Sequence, residues 1–178
     1  YAIDLTKFAC EVGADAMLLV TPYYNKATQK GLIKSFEAVA DVSTKPIILY
    51  NVPSRTGCNL LPASAAALAE HPNIVAIKEA CGNISQVAEL CALVGDKIDV
   101  YSGNDDQIIP ILSLGGKGVI SVAANGFPER FCRCIHLAME GNFAEAEAMM
   151  EEFAEPLRLI FQEGNPTSIK VMTELKGL

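Results

Sequence analysis

The spacing of apolar residues changes period many times along the chain. From Tyr1 to Val12, the residues Ile3, Leu5, Phe8, Ala9 and Val12 recur close to helical spacing, and Gly13 ends the run. Ala16-Met-Leu-Leu-Val20 is apolar throughout, as expected of a strand covered on both faces, and stops at Thr21-Pro-Tyr-Tyr-Asn25. Gln29 to Val42 predicts a helix with Leu32, Ile33, Phe36, Val39 and Ala40 on one face. Pro46-Ile-Ile-Leu-Tyr50 predicts a second strand, and Asn51-Val-Pro-Ser-Arg-Thr-Gly57 reads as a loop. Pro62 to Glu70 follows as a helix with proline in its first turn. Ile74 to Ile77 predicts a third, buried strand with Lys78 at its C-terminal end. A helix from Ser85 to Val94 leads to a fourth strand, Ile98-Asp-Val-Tyr-Ser102, then a short helix from Gln107 to Leu114. Gly118-Val-Ile-Ser-Val122 is the fifth strand. Pro128 to Glu140 and Phe143 to Gln162 predict helices, the second with a solvated acidic face of Glu145, Glu147, Glu151 and Glu152. Pro166 to Leu175 opens one more.

Strand centres at Leu18, Ile48, Ala76, Val100 and Ile120 thus recur roughly every 20–30 residues with helices between them, which builds a parallel sheet. No G-x-G-x-x-G follows a strand and no G-x-x-x-x-G-K-[ST] is present, so the two common nucleotide-binding readings lose their main support. The polar and special residues gather after the strands: Tyr23, Tyr24, Tyr50, Arg55, Lys78, Gly103, Asp105 and Asn125. In a (β/α)8 barrel that end of the strands carries the chemistry. Such a barrel takes about 250 residues. The 178 residues here supply five strands, so the reading is a partial α/β barrel over residues 1–140 and a C-terminal helical region over 141–178.

Composition narrows the partners. Hydrophobic residues make up 51 % and charged residues 20 %, which places the chain among globular proteins. A net charge of −7 argues against nucleic acid or an anionic membrane surface as partner. No apolar run approaches the ~20 residues of a spanning helix. The six cysteines form no C-x-x-C pair, and His71 and His136 sit near no ligand cluster. A metal site is therefore not expected, and a reducing cytoplasm is the simplest setting.

Lys78 is the most telling residue. A buried lysine is driven toward its neutral amine, and a neutral amine attacks a carbonyl to form a Schiff base. A solvated lysine is neutral only about 0.04 % of the time at pH 7, so such an enzyme needs the burial. The same position also suits a lysine leaving a strand for solvent. Tyr50 offers a phenol for proton transfer or a rim aromatic. Arg55 lies between Pro53 and Gly57, placed to hold a carboxylate or simply to be solvated. Gly103 allows a close approach of substrate to backbone, or makes a turn.

Together these residues resemble one family. Val20-Thr-Pro-Tyr-Tyr-Asn25, Leu49-Tyr-Asn-Val-Pro-Ser-Arg-Thr-Gly57, Ile77-Lys-Glu-Ala80, Tyr101-Ser-Gly-Asn-Asp105 and Gly115-Gly-Lys-Gly-Val-Ile-Ser-Val122 are similar to segments of the dihydrodipicolinate synthases. These (β/α)8 enzymes of lysine and diaminopimelate biosynthesis are also called 4-hydroxy-tetrahydrodipicolinate synthases. The resemblance implies that Lys78 forms an imine with pyruvate, that Tyr50 shuttles protons, and that Arg55 binds the carboxylate of aspartate-4-semialdehyde. It implies that backbone at Gly103 and Ile120 lines the pocket. Tyr24 would reach into the site of a neighbouring subunit in a homotetramer built as a dimer of dimers, with Tyr23 at that contact. It implies no metal or organic cofactor, since the imine is the electron sink. Sialic acid lyases and keto-deoxy sugar acid aldolases share the Tyr and Lys, and the Pro-Ser-Arg-Thr-Gly loop favours the synthase over them. The family's Gly-Thr-Thr-Gly-Glu segment does not occur here. The expectation is therefore a fragment holding barrel strands four to eight, inactive alone; a non-catalytic partial barrel is the reading of another class.

Overall fold

The computed structural model describes residues 1–178, which divide into two compact units, Tyr1–Tyr101 and Ser102–Leu178. Strands and helices alternate, and the five strands run parallel. In the first unit, α1 (Ala2–Glu11) precedes β1 (Met17–Val20), α2 (Gln29–Ala40), β2 (Ile47–Asn51), α3 (Pro53–Thr56) and α4 (Pro62–Leu68). β3 (Ile74–Glu79), α5 (Ile84–Val94) and β4 (Asp99–Ser102) complete the alternation. Strands β1 to β4 lie side by side in chain order, with β1 at an open edge.

Local chemistry sets the helix ends. Thr28 Oγ1 accepts from Gly31 N at 3.2 Å to start α2, and Asn83 Oδ1 accepts from Gln86 N at 3.2 Å to start α5. The sequence read residues 51–57 as a loop, yet they enclose a helical turn. Pro53 stands at its first position, and Gly57 ends it at φ 66°, where a side chain would be strained. The core of this unit forms between sheet and helices. Leu49 and Ile77 are fully buried on the helix-facing side, and Leu32 of α2, Ala65 and Leu68 of α4 and Leu90 of α5 are buried too.

Register is the detail that matters most. Ile47 pairs with Ile74 but Ile48 pairs with Ala76, so Val75 is an extra residue in β3 and is 40 % exposed. Beyond it the ladder is regular: Leu49 faces Ile77, Tyr50 faces Lys78 and Asn51 faces Glu79. β3 therefore continues two residues past the expected end at Ile77, and Lys78 lies within the strand.

The second unit opens with Ser102, the last residue of β4, and a 3-10 turn, Asp105–Gln107. It continues through α6 (Ile108–Ser113), β5 (Gly118–Val119), a 3-10 turn (Ala123–Asn125), α7 (Pro128–Met139), α8 (Phe143–Glu151), α9 (Ala154–Gln162) and α10 (Thr167–Leu175). β5 is shorter than the five residues expected. Asp105 Oδ2 accepts from Val122 N at 3.1 Å and Ala123 N at 2.9 Å, turning the chain out of the ladder. The single helix expected from Phe143 to Gln162 is two. A continuous helix would set Pro156, which has no N–H, against the Glu152 carbonyl; in the first turn of α9 that missing donor costs nothing. Phe153 at the break is buried, edge-on to Phe127 and Phe131 with centroids 5.2 and 5.1 Å away.

Leu49→Ala should test the first unit's core. With Leu49 at 0 % exposure, the loss should be about 2–5 kcal/mol, read as a lower urea midpoint with unchanged slope. A change below about 1 kcal/mol would mean that the sheet and helices close over the gap.

Candidate active site

The C-terminal ends of β2 and β3 bring two sequence-predicted residues together. Tyr50 and Lys78 face each other in the ladder, and Lys78 Nζ stands 4.4 Å from the centre of the Tyr50 ring. Lys78 is half-buried rather than enclosed, because it projects from the sheet face opposite the helices. Full burial was the condition read from the sequence; instead a ring face shelters the amine on one side. That arrangement leaves Nζ approachable by a small carbonyl compound.

Tyr50 is itself half-buried. Loss of water pushes its phenol above the usual tyrosine value, and the positive charge of Arg55 pulls it partly back. Arg55 is exposed on α3, so the same turn that lifts its guanidinium into solvent keeps it within electrostatic reach of Tyr50. A protonated phenol beside an amine can give and recover a proton, and an exposed guanidinium can hold a carboxylate in a two-point grip.

Tyr24 is 94 % exposed and its backbone sits at φ 73°, a left-handed conformation costly for an aromatic residue by about 1–3 kcal/mol. Tyr23 beside it is also exposed. Gly103 and Ile120 belong to the second unit. There Ile120 N donates to Ser102 O at 2.9 Å, so Ile120 backbone lies alongside the end of β4, next to Gly103.

Two functional candidates escaped sequence reasoning. Asn51 and Glu79 are buried one residue beyond Tyr50 and Lys78, on the opposite sheet face. Asn51 Nδ2 lies 3.1 and 3.0 Å from the two Glu79 carboxylate oxygens, and Cys81 N donates to Glu79 Oε1 at 2.7 Å. Burial pushes the Glu79 carboxyl up, against the hydrogen bonds from Asn51 and Cys81. Burial and then the Glu79 charge push the Cys81 thiol up to about 11, which leaves it a poor nucleophile at neutral pH. The available signal was a polar residue at a helix-facing position of each buried strand. All six cysteines are free thiols, and no three His, Cys, Asp or Glu side chains converge to hold a metal ion. No helix is long and apolar enough to cross a membrane.

The coupling between Arg55 and Tyr50 is measurable. Arg55→Ala removes the charge that favours the phenolate, so the Tyr50 titration should move to higher pH in an ultraviolet titration, with Tyr50→Phe identifying the phase. An unmoved phase would mean that Arg55 points away from the phenol in solution.

Known proteins resemble the chain over nearly its whole length. The sequence profile of the family described as "Dihydrodipicolinate synthetase family" matches residues 1–178. The 4-hydroxy-tetrahydrodipicolinate synthase of Clostridium novyi (strain NT) is 50 % identical over 177 residues, 99 % of this chain and 60 % of that protein. Among solved structures, the chloride-inhibited dihydrodipicolinate synthase of Acinetobacter baumannii, complexed with pyruvate, superposes with a TM-score of 0.95 at 41 % identity. That match covers 98 % of this chain and 60 % of the other. The dihydrodipicolinate synthase of Thermotoga maritima superposes with a TM-score of 0.95 at 36 % identity, over 98 % and 61 % of the two chains. The chain thus spans about 60 % of the length of the curated relatives it matches. Its five parallel strands are those of a TIM-barrel protein. With every residue from 1 to 178 matched, the chain belongs to the dihydrodipicolinate synthetase family.

Proposed function

We propose that the protein is a Schiff-base lyase that condenses pyruvate with aspartate-4-semialdehyde to 4-hydroxy-tetrahydrodipicolinate, in lysine and diaminopimelate biosynthesis. The observation that carries this reading is the Lys78 amine poised 4.4 Å over the Tyr50 ring, at the strand ends of a chain from this family. The A. baumannii relative is complexed with pyruvate, which supports the same first substrate here.

Lys78 in its amine form attacks the keto carbon of pyruvate. Two protons moved by way of Tyr50 convert the carbonyl oxygen to water, leaving an imine. The imine draws electrons from the methyl carbon, which loses a proton and becomes a carbon nucleophile toward the aldehyde. The amino group of the second substrate then closes on the imine carbon, displacing the Lys78 amine for another cycle. Once formed, the imine serves as the electron sink for carbon–carbon bond formation, so no metal or organic cofactor enters. Arg55, exposed at the rim, holds the carboxylate of the second substrate. Tyr24, held outward in a strained conformation, reaches the site of a second subunit and completes its proton path; the assembly is a homotetramer.

Borohydride reduction with pyruvate should trap an adduct on Lys78, found by peptide mass spectrometry. Lys78→Arg should abolish trapping, because an arginine stays protonated. An adduct on any other lysine would sink the assignment.

Arg55→Ala should raise KM for aspartate semialdehyde about tenfold or more while pyruvate trapping stays within about threefold. Equal loss of both would remove the carboxylate role from Arg55.

A further inference from the structure

Tyr50 and Lys78 lie on one face of β2 and β3. One residue further along each strand, on the helix-facing side, Asn51 and Glu79 form a pair with no step in that reaction. Burying a carboxylate and a carboxamide is costly unless every atom is used. Here the use is specific. Asn51 Oδ1 accepts from Leu60 N at 2.9 Å, and Asn51 Nδ2 lies 3.3 Å from Leu60 O. Asn51 therefore grips the backbone of a residue nine positions further along, and everything between them is the segment that carries Arg55.

Glu79 decides which way the Asn51 amide points. In the ionised form its two oxygens only accept, so they hold Nδ2 toward β3 and leave Oδ1 for Leu60 N. A flipped amide would set oxygen against carboxylate and lose both contacts. Asn59 extends the grip: its Oδ1 is 2.9 Å from Asn51 Nδ2, and its amide exchanges hydrogen bonds with Gln86 at 2.8 and 3.1 Å. Gln29 holds the outgoing chain from the other side, donating to Asn59 O at 2.7 Å and accepting from Leu61 N at 3.0 Å. The turn bearing Arg55 is thus fastened at its return by side chains from β2 and two helices, with Glu79 of β3 holding Asn51 in place. Lys78, by contrast, is placed by the backbone ladder itself.

We propose that Asn51 and Glu79 form a clasp that sets the position of Arg55, and through it the acceptance of the second, carboxylate-bearing substrate, without governing imine formation at Lys78. This rests on the reading of Arg55 as the group that holds that carboxylate. Asn51 and Glu79 are positioning residues, and a clasp predicts a split between the two substrates that general destabilisation does not.

The decisive variant is Glu79→Gln, which keeps the shape and replaces one accepting oxygen by a donor facing other donors. Three readouts apply: KM for aspartate semialdehyde, the rate of tryptic cleavage at Arg55–Thr56, and borohydride trapping of pyruvate on Lys78. The clasp predicts KM up about tenfold or more, cleavage faster by a similar factor, and trapping within about threefold of the parent. Unchanged KM and cleavage would overturn it, as would trapping that falls in proportion to condensation. If Glu79→Gln does not fold, Asn59→Ser cuts the same grip at a half-buried position and is read by the same criteria. If the parent protein traps no pyruvate, the lyase reading fails by itself. The tryptic rate then decides the clasp alone: faster cleavage in the variant sustains it, and an equal rate overturns it.

Discussion

The pairing of β3 against β2 is the constraint on which the rest of the first unit depends. A strand sends alternate side chains to opposite faces, so one register fixes two sets of neighbours at once. With Tyr50 opposite Lys78, a ring lies under the amine; with Asn51 opposite Glu79, an amide meets a buried carboxylate. A slip of one residue would exchange the rows. The ammonium would then face the helix layer and the carboxylate the open face, each without its partner. The apolar positions prevent this, because Leu49 and Ile77 are fully buried only in the observed register.

The two units use a buried acid in the same way. Glu79 accepts from the backbone of Cys81, and Asp105 accepts from the backbone of Val122 and Ala123. In each case a carboxylate taken out of water binds amide groups that have just left a strand and have no ladder partner. The cost of burial is offset by satisfying donors that would otherwise be orphaned. The result in both units is a fixed course for the chain as it leaves the sheet, where irregular backbone would otherwise wander.

The five strands were legible because continuous apolar runs leave few alternatives, and the strand-end positions of Tyr50 and Lys78 followed from them. What remained hidden depended on partners distant in sequence. After β5 the chain is held away from the ladder where Asp105 takes the amides of Val122 and Ala123, and no local pattern reports that. Opposing Tyr50 to Lys78 needed the irregularity at Val75, a residue as apolar as its neighbours. The break between α8 and α9 was readable from Pro156 but yielded to the strong periodicity around it. Likewise Pro53 and Gly57 marked a helical turn in a segment read as a loop. Asn51 and Glu79 were visible as polar letters in buried strands, though their common purpose appears only once Leu60 folds back onto them.

Val75 gives β3 a reserve of length. It is the one residue of that strand that opposes nothing on β2, and it lies at the end remote from Lys78. Removing it would let Ile74 and Ala76 follow each other opposite Ile47 and Ile48, as in an unbroken ladder, with every pairing from Leu49 onward preserved. A deletion at Ile77 has no such refuge, because the slack lies behind it and the chemistry ahead. Tolerance to lost residues along this strand is therefore directional: length can be given up at its start but not at its end.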